Sequence, residues 1–470
     1  MPRAKELVKN TFIITIGKFS TQIISFILLP LYTSKLTPDE YGNYDLTVTI
    51  ATFIVPIITM LLEEAMFRFL IDAKNEKEKE KIINNVFVFI TFSTIIFSTI
   101  MVVLSRVLDY NLGYYITIYS VSTTIVALTN ALSRGEGKVF LFSVSNFLIS
   151  LINIILSIFF IVILKLGFCS LIYSATIANV VISLYVLGKL NIKKQIKIKE
   201  LDIRYLLNML KYSIPLVPNT ICWSTINLSD RLFIVNQLGA GANGIYSISY
   251  KFPNILNNFY SYFNIAWRET SARIANDGAY EEEYKKIYKQ MKNILFSVCL
   301  LLISTIPFVF KILIDTKYIE GLKYIPILCI SVYYSSISGF YGGIFTAFKD
   351  TKILGITSCI AAIVNIIINA IFINKIGLIA AAISTVISSY ILYIIRKEKS
   401  KKYVKIDNNI DNFCYFLLFI LFTVMYYISN LYIEILMLII AIIITVKFNK
   451  NILQKIYSTI KNKCNLRGNN

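Results

Sequence analysis

Long apolar runs recur along the chain, separated by short polar stretches. They lie near 8–32, 44–67, 82–104, 114–132, 140–164 and 168–188, and a basic stretch at 189–211 follows. Further runs lie near 212–236, 245–266, 292–314, 322–347, 352–373, 377–395, 412–428 and 431–447. About 20 apolar residues carry a helix across the hydrocarbon core of a bilayer, so each run is read as one span. A transmembrane barrel would instead show segments of about ten residues with alternating polarity. The pattern therefore predicts an all-α integral membrane protein with about 14 transmembrane helices.

Composition agrees with the pattern. Apolar residues make up 56% of the chain and charged residues 16%, with a mean hydropathy of +0.66. A soluble chain carries roughly 25% charged residues to cover its surface, so most of this exterior is expected to face lipid. Arg3, Lys5 and Lys9 precede the first run. That run is too long for a signal-peptide core and no small-residue cleavage site follows, so it is read as an uncleaved first span.

The net charge of +20 matters through its distribution. With the N-terminus on the cytoplasmic side, 37 of the 47 Lys and Arg residues fall in cytoplasmic segments and seven in the opposite loops. The cytoplasmic set includes the 267–292 and 396–405 loops. Lys18, Arg231 and Lys251 fall inside spans. This positive-inside bias places both termini in the cytoplasm, and no nucleic-acid partner is expected. Histidine is absent, which excludes histidine zinc sites, Ser-His catalysis and histidine proton relays. Seven scattered cysteines without a CxxC spacing read as packing residues. No metal, cofactor or catalytic site is expected.

The first six spans and the next six read as one unit written twice. Lys9 matches Lys211, Leu36 matches Leu238, Gly42 matches Gly244 and Tyr44 matches Tyr246, all at an offset of 202. Later, Asn153-Ile154-Ile155 matches Asn365-Ile366-Ile367, and Lys165-Leu166-Gly167 matches Lys375-Ile376-Gly377. Six spans per half give both halves the same orientation, the parallel-repeat design of alternating-access carriers with a central cavity. The expected organisation is a six-helix lobe at 1–188, a basic cytoplasmic linker at 189–211, a second lobe at 212–405, and two added helices with a basic tail at 406–470.

Charges within spans are the candidate chemistry, since each costs roughly 2.5–3.5 kcal/mol on insertion scales. Lys18 lies about 13 Å along the helix from Lys9. It shares a face with Thr11, Thr15, Gln22 and Ser25, which suits a water-filled lumen or, alternatively, a polar helix–helix contact. Lys251 lies about 9 Å beyond Ile245 and shares a face with Asn254, Asn258 and Tyr262; lining a passage and snorkelling outward are both open to it. Asp230 shares a face with Asn219, Trp223 and Asn227, while the adjacent Arg231 points elsewhere. Arg68 closes span two, at i+4 from Glu64, with which it can pair. Fixed cations would compensate an anionic cargo such as a diphosphate through charge-assisted hydrogen bonds.

Several local strings together carry a resemblance. They are Leu7-Val8-Lys9-Asn10, Lys18, Leu36-Thr37-Pro38-Asp39-Glu40-Tyr41-Gly42 and Ala65-Met66-Phe67-Arg68-Phe69 in the first half. In the second they are Ser229-Asp230-Arg231, Leu238-Gly239, Gly244-Ile245-Tyr246-Ser247 and Lys251. On these the chain resembles the polysaccharide flippases of the multidrug/oligosaccharidyl-lipid/polysaccharide exporter superfamily. The resemblance implies a non-enzymatic carrier of undecaprenyl-diphosphate-linked oligosaccharide in the bacterial cytoplasmic membrane, serving capsule- or O-antigen-type synthesis. Its partners would be that glycan, membrane lipids and other polysaccharide-assembly proteins. The expected substrate-binding cations are Lys18, Lys251, Arg231 and Arg68, with Gln22, Asn227, Asp230 and Asn258 as polar lining. Two alternatives stand beside it. A cation-coupled multidrug exporter would want deep carboxylates, and a membrane polymerase or ligase would want a large external loop.

Overall fold

A computed structural model describes residues 26–192, 201–275, 280–406, 409–428, 430–450 and 454. Among these residues the regular structure is helical, with no strand. The helices are α1 (Leu29–Lys35), α2 (Pro38–Thr59), α3 (Leu62–Asp72), α4 (Glu76–Val107), α5 (Leu112–Gly135), α6 (Val139–Ile158), α7 (Cys169–Lys189), α8 (Ile203–Ser213) and α9 (Val217–Leu238). They continue as α10 (Ala240–Lys251), α11 (Pro253–Ile274), α12 (Tyr280–Leu313), α13 (Ile325–Ala347), α14 (Lys352–Ile376), α15 (Leu378–Ser400), α16 (Asn409–Ile428) and α17 (Leu431–Phe448). Each of the thirteen later spans expected from the sequence coincides with one helix or a broken pair. The expected first span lies mostly outside the described residues.

Ten of the described helical segments are long and apolar enough to cross a membrane, and Phe413–Ile428 is a shorter apolar helix. This is an all-α, multi-pass membrane protein. Several of the expected spans depart from a simple rod. The span expected at 44–67 is broken between α2 and α3, where Met60 and Leu61 both adopt left-handed backbone at φ 51° and 53°. Side chains other than glycine seldom take that conformation, and here it redirects the chain without Gly or Pro. The span expected at 212–236 begins with a 3-10 turn at Ile214–Leu216, where Pro215 and Pro218 interrupt the helical hydrogen bonding. The span expected at 245–266 breaks at Phe252, because Pro253 has no N–H to donate.

The chain forms two compact units, Met1–Gly244 and Ile245–Asn470. The boundary falls later than the 189–211 stretch because α9 packs on α2, within the first unit. In the first unit α5 packs against α2, α4 and α7. Its core gathers Leu62, Met66, Ile82, Val86, Leu132, Ile182 and Val186. Amphipathic α8 adds Leu206 and Met209 to that core. Its N-cap Asp202 accepts from the Tyr205 N–H at 3.0 Å and pairs with Lys81 at 2.5 Å.

The start of α2 shows why the Thr37-Pro38-Asp39-Glu40 string begins a helix. The Glu40 N–H donates to Thr37 Oγ1 at 3.3 Å and the Thr37 N–H donates to Glu40 Oε2 at 2.8 Å, a capping box with Pro38 in the first turn. One turn later Gly42 meets the start of α10. A Cβ on Gly42 would sit 1.8 Å from the Ala240 carbonyl oxygen, and one on Gly244 would sit 2.0 Å from that of Pro38. The two glycines matched by the repeat are thus where two backbones meet, and Asn243 Nδ2 donates to the Gly42 carbonyl at 2.8 Å.

In the second unit α15 packs on α13 and α14, α11 packs on α13, and α12 carries both α16 and α17. Its centre is aromatic. Trp267 stacks on Phe340 with ring centres 4.2 Å apart, and Phe296 stacks on Tyr415 at 4.1 Å. The repeat also recurs in polar detail. Ser157 bridges Asn153 and Ser174 in the first unit, at 3.4 and 2.8 Å. In the second, Asn365, Asn369 and Ser384 form the matching network at 3.1–3.3 Å. Gly167 and Gly377, at φ 60° and 62°, precede α7 and α15 in their respective units. A left-handed residue is nearly free of steric cost only when it is glycine.

Candidate functional site

Arg231 lies in the last third of α9 and is buried. Its Nε reaches Asp45 Oδ2 on α2 at 3.2 Å, with side-chain exposures of 7% and 15%, and its Nη1 reaches the Asn227 carbonyl at 3.4 Å. A buried cation is tolerated where an acid compensates it. Here the cation named from the sequence ties α9 to α2. The neighbouring Asp230 is 1% exposed. The lining face expected to run through Asn219, Trp223, Asn227 and Asp230 is therefore graded: Asn227 is exposed, Asn219 and Trp223 are half-buried and Asp230 is enclosed.

Arg68 sits on α3 and is exposed, and the structure corrects its expected pairing with Glu64. Its Nη2 lies 3.0 Å from Asp72 Oδ2, while Glu64 turns to Arg134 at 3.7 Å. Arg134 in turn lies over the Phe67 ring at 4.4 Å. Asn43, close to Asp45, stands beside Asn111 at the start of α5, and Glu64 pairs with Arg134 at its end, so Arg231 and Arg68 lie toward opposite ends of the first unit. Arg68 is at the end flanked by basic loops.

Lys251 closes α10 immediately before the break at Phe252 and Pro253. It is half-buried and makes no ion pair among the described residues. Two effects hold a cation well there, the negative end of the α10 dipole and the unpaired carbonyls of its last turn. Asn258, one to two turns into α11, is half-buried, and its carbonyl accepts from Ser261 Oγ at 2.8 Å. Lys18 and Gln22 lie outside the described residues.

Two buried cations were assigned to loops by sequence position and prove to be inside helices. Lys292, 0% exposed, sits on α12 with its Nζ 4.7 Å from the Tyr415 ring centre and 5.6 Å from that of Tyr288. Arg396, 2% exposed, sits on α15. It donates to Thr357 Oγ1 and Ser358 Oγ at 3.1 Å each and to the Ser338 carbonyl at 3.3 Å, joining α13, α14 and α15. Their spacing gave a usable signal. Lys292 follows Tyr284 and Tyr288 at four-residue steps, and Arg396 falls in phase with Ser389, Leu392 and Ser400, so each continues a buried stripe.

The second unit also holds a groove of about 770 Å³ between α13, α15 and α16. Tyr333, Tyr393, Ile387 and Phe416 line it, and Lys397 and Glu398 stand at one end. Along α15 the lining runs from Val386 to Glu398, roughly 18 Å, about the depth of one leaflet.

Comparison with known proteins agrees with this architecture. An uncharacterised membrane protein of Methanocaldococcus jannaschii is 23% identical over 418 residues, covering 83% of this chain and 96% of that protein. The lipid II flippase MurJ in an inward closed conformation superimposes with a TM-score of 0.68 at 16% identity, over 95% of this chain and all of that one. An inward-facing multidrug resistance MATE transporter of the MOP superfamily gives the same TM-score at 14% identity, over 83% of this chain and 97% of that one. At these identities the likeness establishes a shared transporter fold. Residues 7–267 match the family described as polysaccharide biosynthesis protein, more than half of the chain, and the protein belongs to that family.

Proposed function

We propose that the protein moves undecaprenyl-diphosphate-linked oligosaccharide across the bacterial cytoplasmic membrane by alternating access, with both termini cytoplasmic, for surface polysaccharide assembly. The observation that carries this reading is Lys251, a half-buried lysine at a mid-span helix break with no ion pair among the described residues. Leaving a cation uncompensated there costs free energy, and an anionic cargo would recover it. A diphosphate in a low-dielectric passage needs such a partner, because desolvating it alone is prohibitive. Lys18 would serve as a second cation. Arg231, neutralised by Asp45, would act mainly by setting the position of α9, and Arg68 would meet the headgroup at the basic side. Asn227, Asn258 and Gln22 would offer hydrogen bonds to sugar, while Asp230, enclosed in the bundle, would serve the fold. The family description and the flippase fold support a lipid-linked glycan as cargo, and the leaflet-deep groove suits hydrocarbon. A carrier of this kind rearranges non-covalent contacts and needs no catalytic group.

The test substitutes Lys18 and Lys251 separately by Ala and by Arg and measures surface polysaccharide in cells with normal protein levels. Export should collapse in both Ala variants and be retained in part with Arg. Full export in all four variants would refute the cationic passage.

A further inference from the structure

The first unit contains a second cavity, of about 600 Å³, at the end opposite the basic loops. Small-molecule sites commonly measure roughly 300–1,000 Å³ and combine apolar walls with a few convergent polar groups. Here Tyr114 and Tyr115 from α5 meet Phe168 and Tyr173 from the start of α7, and Asn43 of α2 and Asn111 complete the wall. The Tyr115 ring lies 5.1 Å from Phe168 at an interplanar angle of 71° and 6.1 Å from Tyr173 at 53°. These rings brace one another and are all half-buried, so each keeps surface open to the cavity.

The two asparagines are informative. Asn111 occupies the N-cap of α5, where an Asn side chain ordinarily accepts a backbone N–H, yet it makes no capping hydrogen bond. Neither the Asn111 nor the Asn43 side chain has a hydrogen-bond partner among the described residues. No Lys, Arg, Asp or Glu is among the residues lining the cavity. Such a wall offers nothing to a phosphate, which needs cations or several N–H donors. An ordinary interfacial aromatic belt would face lipid, whereas these rings converge on a cavity that also carries two amides.

We infer that this cavity is a binding subsite for a neutral saccharide ring. A sugar has an apolar C–H face, which matches the aromatic faces, and a rim of hydroxyls, which matches the Asn amides. This inference rests on the proposed glycan cargo and specifies part of its recognition. In the expected orientation the cavity opens on the extracytoplasmic side, where the glycan of a translocated substrate would be received. The diphosphate and the sugar are then recognised in different places, one by lysines and one by aromatic and amide groups.

The test uses the full chain in lipid nanodiscs and saturation-transfer difference NMR with glucose, rhamnose and N-acetylglucosamine, alongside inorganic phosphate as a competitor. At least one neutral sugar should give enhancements concentrated on its ring C–H protons, and phosphate should leave them unchanged. Loss of one hydrogen bond to the ligand weakens binding about two- to tenfold, so Asn111→Ala should reduce the signal by that factor. Tyr115→Leu should abolish it. Asn111 is exposed, so its variant reads binding even if Tyr115→Leu fails to fold. No signal above empty nanodiscs, competition by phosphate, or an unchanged signal in Asn111→Ala would each overturn the inference. Binding is measured without transport, so this outcome is separate from that of the lysine substitutions: sugar binding with full export in the lysine variants would sink the cationic passage alone.

Discussion

Replacing Gly42 with alanine should weaken the first unit, although alanine is the better helix former. The new Cβ would sit 1.8 Å from the Ala240 carbonyl oxygen and 2.9 Å from the Gly244 nitrogen, whereas real Cβ contacts essentially never fall below 3.0 Å. The obstacle is backbone, so no side-chain rotation relieves it, and α2 and α10 must separate by more than an ångström at that point. Overpacking of this kind costs about 1–3 kcal/mol, occasionally more. Gly355 supplies the control. It lies inside α14 with nothing within 4 Å of its would-be Cβ, so Gly355→Ala should gain roughly 0.5–1 kcal/mol from reduced chain entropy. The two variants should thus differ by about 1.5–4 kcal/mol, or several degrees in thermal midpoint. Thermal unfolding of purified protein, followed by loss of the monodisperse size-exclusion peak, reads the difference. Gly244→Ala should behave like Gly42→Ala, since its Cβ would meet the Pro38 carbonyl at 2.0 Å. Equal midpoints for Gly42→Ala and Gly355→Ala would refute the close approach.

Three further outcomes follow from charged groups. Arg231→Ala should destabilise by about 3–5 kcal/mol, because it strips Asp45 of its charge partner inside the bundle, and adding Asp45→Ala should restore part of the loss; strictly additive losses in a thermal-unfolding cycle would contradict a coupled pair. Arg396→Lys keeps the charge but not the planar fork that reaches Thr357, Ser358 and Ser338 together. It should cost on the order of 1.5–3 kcal/mol for each hydrogen bond lost, and a thermal midpoint equal to that of the parent would exclude the clamp. On the basic side, the Lys81 hydrogen bond holds the Asp202 carboxyl below its usual range. A lowered carboxylate stabilises fully above its unfolded value of about 3.9 and loses that contribution as pH falls through the folded value. Hydrogen exchange over 203–213, corrected for intrinsic rates, should therefore quicken between about pH 5 and 3. Asp202→Asn should already exchange fast at neutral pH, and identical profiles for the two proteins would count against the link.

The spans were legible in the sequence because lipid imposes a simple rule, one long apolar run for each crossing. Their interruptions were legible only where proline marked them. Pro253 stands at the α10–α11 break and Pro215 in the 3-10 turn before α9, but proline alone names no break, since Pro56 lies inside α2. The α2–α3 break was silent, because Met60 and Leu61 carry no turn signal, yet both adopt left-handed backbone. Pairing was hidden for a related reason. Arg231 and Asp45 lie 186 positions apart, and nothing local in either segment names the other. Loop-by-loop charge counting predicts an orientation, but it misplaced Lys292 and Arg396. It assumes that a basic residue near a span end is in water, whereas both continue a buried helical stripe.

That misplacement bears on how to read cations in such a chain. Three kinds of environment now hold them inside helices, and each has a different consequence. Arg231 has an acid beside it and Arg396 has hydroxyls and a carbonyl, so both are satisfied by the fold and should register chiefly as stability. Lys292 lies against the Tyr288 and Tyr415 rings, whose negative faces stabilise a cation. Lys251 has an incomplete set, a helix end and partial exposure, and gains most from a ligand that brings negative charge. Intramembrane charge alone therefore does not distinguish a scaffold residue from a substrate contact; the completeness of its shell does. On that criterion the functional cost of substitution should be greatest at Lys251 and the folding cost greatest at Arg231 and Arg396. Measuring export and thermal midpoint on the same set of variants separates the two.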